Sequence, residues 1–135
     1  MTPLGYSTLG YALPAAIGAK VAAPEHPVIC IIGDGGIQFT LPELATAVEE
    51  QLPLTIIIWN NEGYGEIRDY WDNKDIPRIG VDIYTPDFLT IARGFGCTAG
   101  RAAGLDHFQE LVKESFKGNV PTVIEVREDA GFLNP

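Results

Sequence analysis

Two kinds of apolar spacing alternate along the chain. Short, unbroken, β-branched runs stand at 28–33, "VICIIG", and at 54–60, "LTIIIWN". Runs of this kind suit strands buried on both faces, as in a parallel sheet. "PTVIEVR", 121–127, reads as a closing strand, and "CTAGRA", 97–102, as a short one before it. Between the strands the sequence turns helical. "ALPAAIGAKVAA", 12–23, is Ala-rich, with Pro14 in its first turn. Thr40 and Glu43 have the spacing of a capping box and would open a helix through "LPELATAVEEQ". Thr85 would cap a helix through "PDFLTIARGFG". In "DHFQELVKESF", 106–116, Phe108, Leu111, Val112 and Phe116 recur at helical spacing, and Gly118 stops the run. Residues 67–84 hold Pro77 and Gly80 in a mixed context and are expected to be mostly irregular. Strand–helix alternation predicts an α/β fold: three layers, a mostly parallel sheet, helices on both faces.

Composition narrows the class. The 135 residues suit one domain, with 46% hydrophobic and 20% charged residues as in a globular protein. Net charge is −9, from 9 Lys+Arg against 18 Asp+Glu, which argues against a nucleic-acid partner. An anionic ligand would gain nothing from such a field and would need backbone N–H groups or a metal ion. No apolar run approaches the roughly 18 residues of a membrane span. The first residues, "MTPLGYSTLG", lack the pattern of a signal peptide, so the cytoplasm is the expected compartment and no membrane partner is expected. Cys30 and Cys97 match no metal or redox spacing, and Cys30 reads as a core thiol.

Candidate chemistry gathers where the first strand ends. In parallel sheets ligands bind beyond the carboxyl ends of the strands. There the chain reads "IIGDGGIQFT", 31–40, with Asp34 among Gly33, Gly35 and Gly36. Alone, this is compatible with a tight strand-to-helix turn. The dinucleotide pattern G-x-G-x-x-G needs glycine where Gln38 stands, and no lysine completes a P-loop. What remains is a carboxylate, bare backbone and a second strand-end loop, "NNEGYG". Neutral amide and carbonyl oxygens beside one carboxylate suit a Mg²⁺ that also holds a diphosphate.

These residues carry a resemblance. Gly33-Asp34-Gly35, 24 intervening residues (36 to 59) and Asn60-Asn61 resemble the thiamine-diphosphate-binding signature. "STLGYALPAAIGAK", "TLPELATAVEEQLPLTIIIWNNEGYG" and "PTVIEVR" are similar to the C-terminal diphosphate domain of the acetolactate synthase and 2-oxoacid decarboxylase family. The resemblance implies the thiamine-diphosphate-binding fold and a set of roles. Asp34, the Asn61 side chain and the Gly63 carbonyl would bind Mg²⁺. Gly35, Gly36, Ile37, Tyr64 and Gly65 would offer N–H groups to the diphosphate, beside Gly33. Leu9, 25 residues before Asp34, would underlie the bent cofactor, and the Ser7 carbonyl would hold its amino group.

It also implies what this stretch lacks. Such enzymes need an activating glutamate from a pyrimidine-binding domain, contributed by a partner chain in a homodimer or tetramer. The expectation is a single cofactor domain over 1–135, excised or naturally separate, from an enzyme that decarboxylates a small 2-oxoacid, and inactive alone. The pyruvate decarboxylase branch places a catalytic glutamate where this chain has Ile67, one residue beyond Glu66, so no catalytic residue is assigned. The alternative is a non-enzymatic α/β module that binds Mg²⁺ and a nucleotide, or only assembles.

Overall fold

The computed structural model describes residues 8–133. Its elements are α1 (Ala12–Ala22), β1 (Ile29–Gly33), α2 (Asp34–Ile37), α3 (Glu43–Glu49), β2 (Thr55–Asn60), α4 (Gly65–Asp72), α5 (Phe88–Gly94), β3 (Thr98–Arg101), α6 (Leu105–Ser115) and β4 (Thr122–Arg127). The four strands form one sheet in the order β1-β2-β4-β3, with every pairing parallel. β1 and β2 are neighbours in a register that pairs Gly33 with Trp59. Their carboxyl ends therefore open side by side.

Helices lie on both faces. Cys30, Ile32, Ile56, Ile58 and Val123 point to one face, where Leu13 and Ile17 of α1, Leu44 and Ala47 of α3, and Phe88 and Ala92 of α5 close the main core. Ile57 and Val126, which alternation sends to the other face, meet Ala102, Trp59 and Phe108 of α6. Gly100 lets α6 come close, since a Cβ there would stand 3.1 Å from Leu111 Cδ2. Three layers follow, as the alternation of periods predicts. No helix among the described residues is long and apolar enough to cross a membrane.

Several expectations need correction. β1 is buried on one face only: Ile31 is 67% exposed, because β1 is an edge strand and α6 packs over the opposite half of the sheet. No capping box forms at α3. Thr40 Oγ1 instead donates to the Gly10 carbonyl (3.1 Å), while Glu43 accepts from Thr46 Oγ1 (3.3 Å). α5 is capped by Asp87, whose carboxylate accepts from the Leu89 and Thr90 N–H groups (3.1 and 3.0 Å). Thr85 Oγ1 is buried without a hydrogen-bond partner. The segment 67–84 is mostly irregular as expected, except that α4 occupies its first part, to Asp72. Both cysteines are buried, and burial pushes the Cys30 thiol up to about 12 and Cys97 up to about 11, so neither is a thiolate near neutral pH.

Candidate functional site

The end of β1 delivers Asp34 straight into the short helical turn of α2. Gly33 is still extended (φ −73°, ψ 155°), and the next residue is helical. Gly35 and Gly36 sit in the first turn, where N–H groups have no intrahelical acceptor. Ile37, one residue on, sends its side chain into the core. Asp34 is only 1% exposed. Its Oδ2 accepts from the Gly63 N–H (2.8 Å) and its Oδ1 from the Asn61 N–H (3.4 Å). Among the described residues no basic side chain forms an ion pair with it. A buried carboxylate in that position is under-compensated.

The loop after β2 wraps around that carboxylate. Glu62 has φ 60° and Gly63 φ 145°, so the chain turns sharply through both. A Cβ on Gly63 would lie 2.7 Å from the Val81 carbonyl. One on Gly65 would lie 2.1 Å from Asn61 Nδ2, and one on Gly35 would lie 2.7 Å from the Tyr64 ring. These glycines keep the two loops in contact. On the outer side Arg68 donates to the Asn61 carbonyl (3.3 Å) and Arg127 to Glu62 Oε1 (2.6 Å).

The Asn61 side chain completes the arrangement. One terminal atom of its amide lies 3.1 Å from both the Gly63 carbonyl and Asp34 Oδ1. As nitrogen, that atom donates to both. As oxygen, it makes three acceptors face one another, which only a cation stabilises. Amide orientation follows from its partners, so a half-turn of Asn61 separates a closed site from a cation site. The donors are all hard oxygens, one of them charged, and they fit Mg²⁺. No group of three His, Cys, Asp or Glu side chains poised for a metal occurs among the described residues.

A cleft of about 320 Å³ opens over these atoms. Leu9, Gly33, Asp34, Gly35, Gly36, Asn61, Gly63, Tyr64 and Gly65 line it, joined by Glu66 and Ile67, to which the sequence assigned no role, and by Trp59 and Glu128, which it did not single out. Leu9 is 47% exposed there. Ser7 lies outside the described residues. Tyr64 reaches the cleft differently from the expectation. Its N–H, expected to face a diphosphate, donates to the Val81 carbonyl (3.1 Å), because the loop folds back on 81–83. Trp59 Nε1 donates to Glu128 Oε1 (2.9 Å), a pair 69 residues apart that no local pattern reveals.

A parallel sheet with a strand-end carboxylate, a glycine turn and an amide–carbonyl loop defines a candidate ligand site of the α/β class. The comparisons give that class its family. The family described as "Thiamine pyrophosphate enzyme, C-terminal TPP binding domain" matches residues 1–126, and the chain belongs to it. The chain is 44% identical over 126 residues to the "Probable 2-ketoarginine decarboxylase AruI" of Pseudomonas aeruginosa, covering 93% of this chain and 22% of that one. It is 36% identical over 134 residues to the "Probable acetolactate synthase large subunit" of Methanocaldococcus jannaschii, covering 97% and 22%. The solved thiamine diphosphate-dependent 4-hydroxybenzoylformate decarboxylase of Rhodococcus jostii RHA1 superposes with a TM-score of 0.82 at 36% identity, over 88% of this chain and 23% of that one. The fold is thus the thiamine-diphosphate-binding fold. The chain spans about a fifth of the length of these relatives.

Proposed function

We propose that this chain binds the diphosphate end of thiamine diphosphate through Mg²⁺, as the cofactor domain of an enzyme that decarboxylates a 2-oxoacid. The observation that carries this reading is the meeting of the buried Asp34 Oδ1 with the Asn61 amide and the Gly63 carbonyl, with no side-chain cation among the described residues to balance them. Asp34 supplies the charge and an oxygen. The Asn61 amide and the Gly63 carbonyl supply neutral oxygens. The first turn of α2 offers the Gly35 and Gly36 N–H groups to phosphate oxygens, and Leu9 gives apolar support beside them. The cofactor, when bound, supplies the electron sink for loss of carbon dioxide. This chain's part is to hold and orient it.

The activating glutamate belongs, in this reading, to a pyrimidine-binding domain outside these residues, so the isolated chain is inactive. The assembled enzyme is a homodimer or tetramer in the cytoplasm. The name of the 44%-identical relative makes a 2-oxoacid with a guanidinium tail the first substrate to try. Glu66 and Glu128, which line the cleft, carry the opposite charge.

A competition melt tests the reading. Thiamine diphosphate with Mg²⁺ should raise the melting temperature, and removal of Mg²⁺ with a chelator should abolish the rise. A larger rise with ATP or GTP than with thiamine diphosphate would sink it and favour a nucleotide-binding module. Restoration of carbon dioxide release from a 2-oxoacid by an added pyrimidine-binding domain tests the split site.

A further inference from the structure

Asn60 precedes the ligating loop and is itself only 3% exposed. Its Nδ2 donates to Glu125 Oε1 at 2.6 Å, and its Oδ1 accepts from the Glu62 N–H at 3.0 Å. Glu125, equally buried in the middle of β4, uses its other oxygen to accept from Arg101 Nε at 2.7 Å. The register sets Arg101 of β3 beside Glu125 and Glu125 beside Ile58 of β2, so the row crosses the sheet. Its last bond leaves the sheet and enters the loop.

The chemistry of this row is directional. An ionised carboxylate only accepts. Glu125 therefore fixes which way the Asn60 amide points: nitrogen toward β4, oxygen toward the loop. Arg101, donating to the other oxygen, keeps the Glu125 carboxylate aimed. The Asn60 oxygen in turn holds the Glu62 N–H, at a residue forced to a positive φ of 60°. Glu62 lies between the two loop residues that face Asp34, Asn61 and Gly63. Groups that hold a metal ligand's backbone act on the metal through geometry rather than through contact.

We infer that Asn60 and Glu125, backed by Arg101, are positioning residues that set the Asn61–Gly63 loop for the cation, an inference that rests on the cofactor reading given above. None of the three side chains lines the cleft beside Asp34. They act through the Glu62 amide.

Hydrogen exchange and calorimetry on the full chain test this together. Asn60→Ala removes the acceptor, and Glu125→Gln pits an amide against Arg101 and Asn60. In the ligand-free chain, each variant should speed exchange of the Glu62 N–H about tenfold or more. Exchange at Ile57 and Ile124 in the ladder should stay within about twofold, which a general loosening of the fold would not allow. With Mg²⁺ present, thiamine diphosphate should bind each variant about 10- to 100-fold more weakly than the parental chain. Arg101→Met should act in the same direction and less.

The relay is overturned if Glu62 exchanges no faster, or only in step with the ladder. It is also overturned if the parental chain binds the cofactor and the variants bind it equally well, which leaves the cofactor reading intact. A parental chain that takes up no cofactor with Mg²⁺ overturns the cofactor reading itself, and the positioning role with it.

Discussion

Two carboxylates are buried, Asp34 just past the end of β1 and Glu125 within β4, and the protein treats them in opposite ways. Glu125 meets Arg101 at 2.7 Å and the Asn60 amide at 2.6 Å, so donors match acceptors and a cation balances the charge. Asp34 is buried more deeply, yet it meets two backbone N–H groups and, among the described residues, no basic side chain, and the Gly63 carbonyl and the Asn61 amide converge beside it. The first arrangement is closed within the protein. The second closes within the protein when the Asn61 amide turns its nitrogen inward, and takes a cation when it turns its oxygen inward. Buried charge alone does not mark a site; buried charge left without its counter-charge does.

Substitutions can break that contrast. The largest effect should come from Asp34→Ala, which removes the carboxylate that the Asn61 and Gly63 N–H groups both meet. Mg²⁺-dependent affinity for thiamine diphosphate, read by calorimetry, should fall on the order of 100-fold or more, about 2.8 kcal/mol at about 1.4 kcal/mol per tenfold. Next, the parental chain at a hundred times the dissociation constant should gain about 2.7 kcal/mol, a melting shift on the order of 10 °C, and Asp34→Asn should show no such shift while melting no lower than the parental chain without ligand. Gly63→Ala places a Cβ 2.7 Å from the Val81 carbonyl at φ 145° and should cost about 1–3 kcal/mol in denaturant unfolding.

Arg101→Met probes the closed carboxylate. It strips Glu125 of its cation and should cost about 1–2 kcal/mol, below the value for a fully buried pair because the Arg101 side chain is 53% exposed. The smallest effect belongs to Asp87. The side-chain hydrogen bond from Thr90, then the backbone N–H of Thr90, hold its carboxyl below the ordinary value of 3.8. A depressed folded-state pKa gives stability that is present above the ordinary value and lost as pH falls through the folded one. Acid titration of the melting temperature should therefore show a small drop below about pH 4 that Asp87→Asn removes.

Much of this was legible in the chain, for local reasons. The apolar runs of β2 and β4 report burial directly, and the run of β1 and the helical spacing of α6 report the element correctly. The Asp34 to Asn61 distance is fixed by one strand–helix–strand passage, so it survives as a spacing. What was not legible depends on contacts far apart in sequence. Thr40 and Glu43 have the right spacing for a cap, but the Gly10 carbonyl, 30 residues away, takes the Thr40 hydroxyl. α4 escaped because Ile67 and Tyr70 stay exposed and Gly65 alone among its residues is fully buried, so it has no apolar stripe to read. The bond from Asn60 to Glu125 spans 65 residues, and the second Asn of Asn60-Asn61 drew attention while the first held the loop. The Val81 carbonyl that occupies the Tyr64 N–H lies in a segment whose pattern carries no period.

The central claim is that Asp34, Asn61 and Gly63 form a cation site that works with a diphosphate. Its most direct test is electron paramagnetic resonance of Mn²⁺ titrated into the chain with thiamine diphosphate present, compared with Asp34→Asn. The account predicts bound Mn²⁺ that depends on the cofactor and disappears in the variant. No cofactor-dependent binding, or binding that survives the loss of the Asp34 carboxylate, would contradict it.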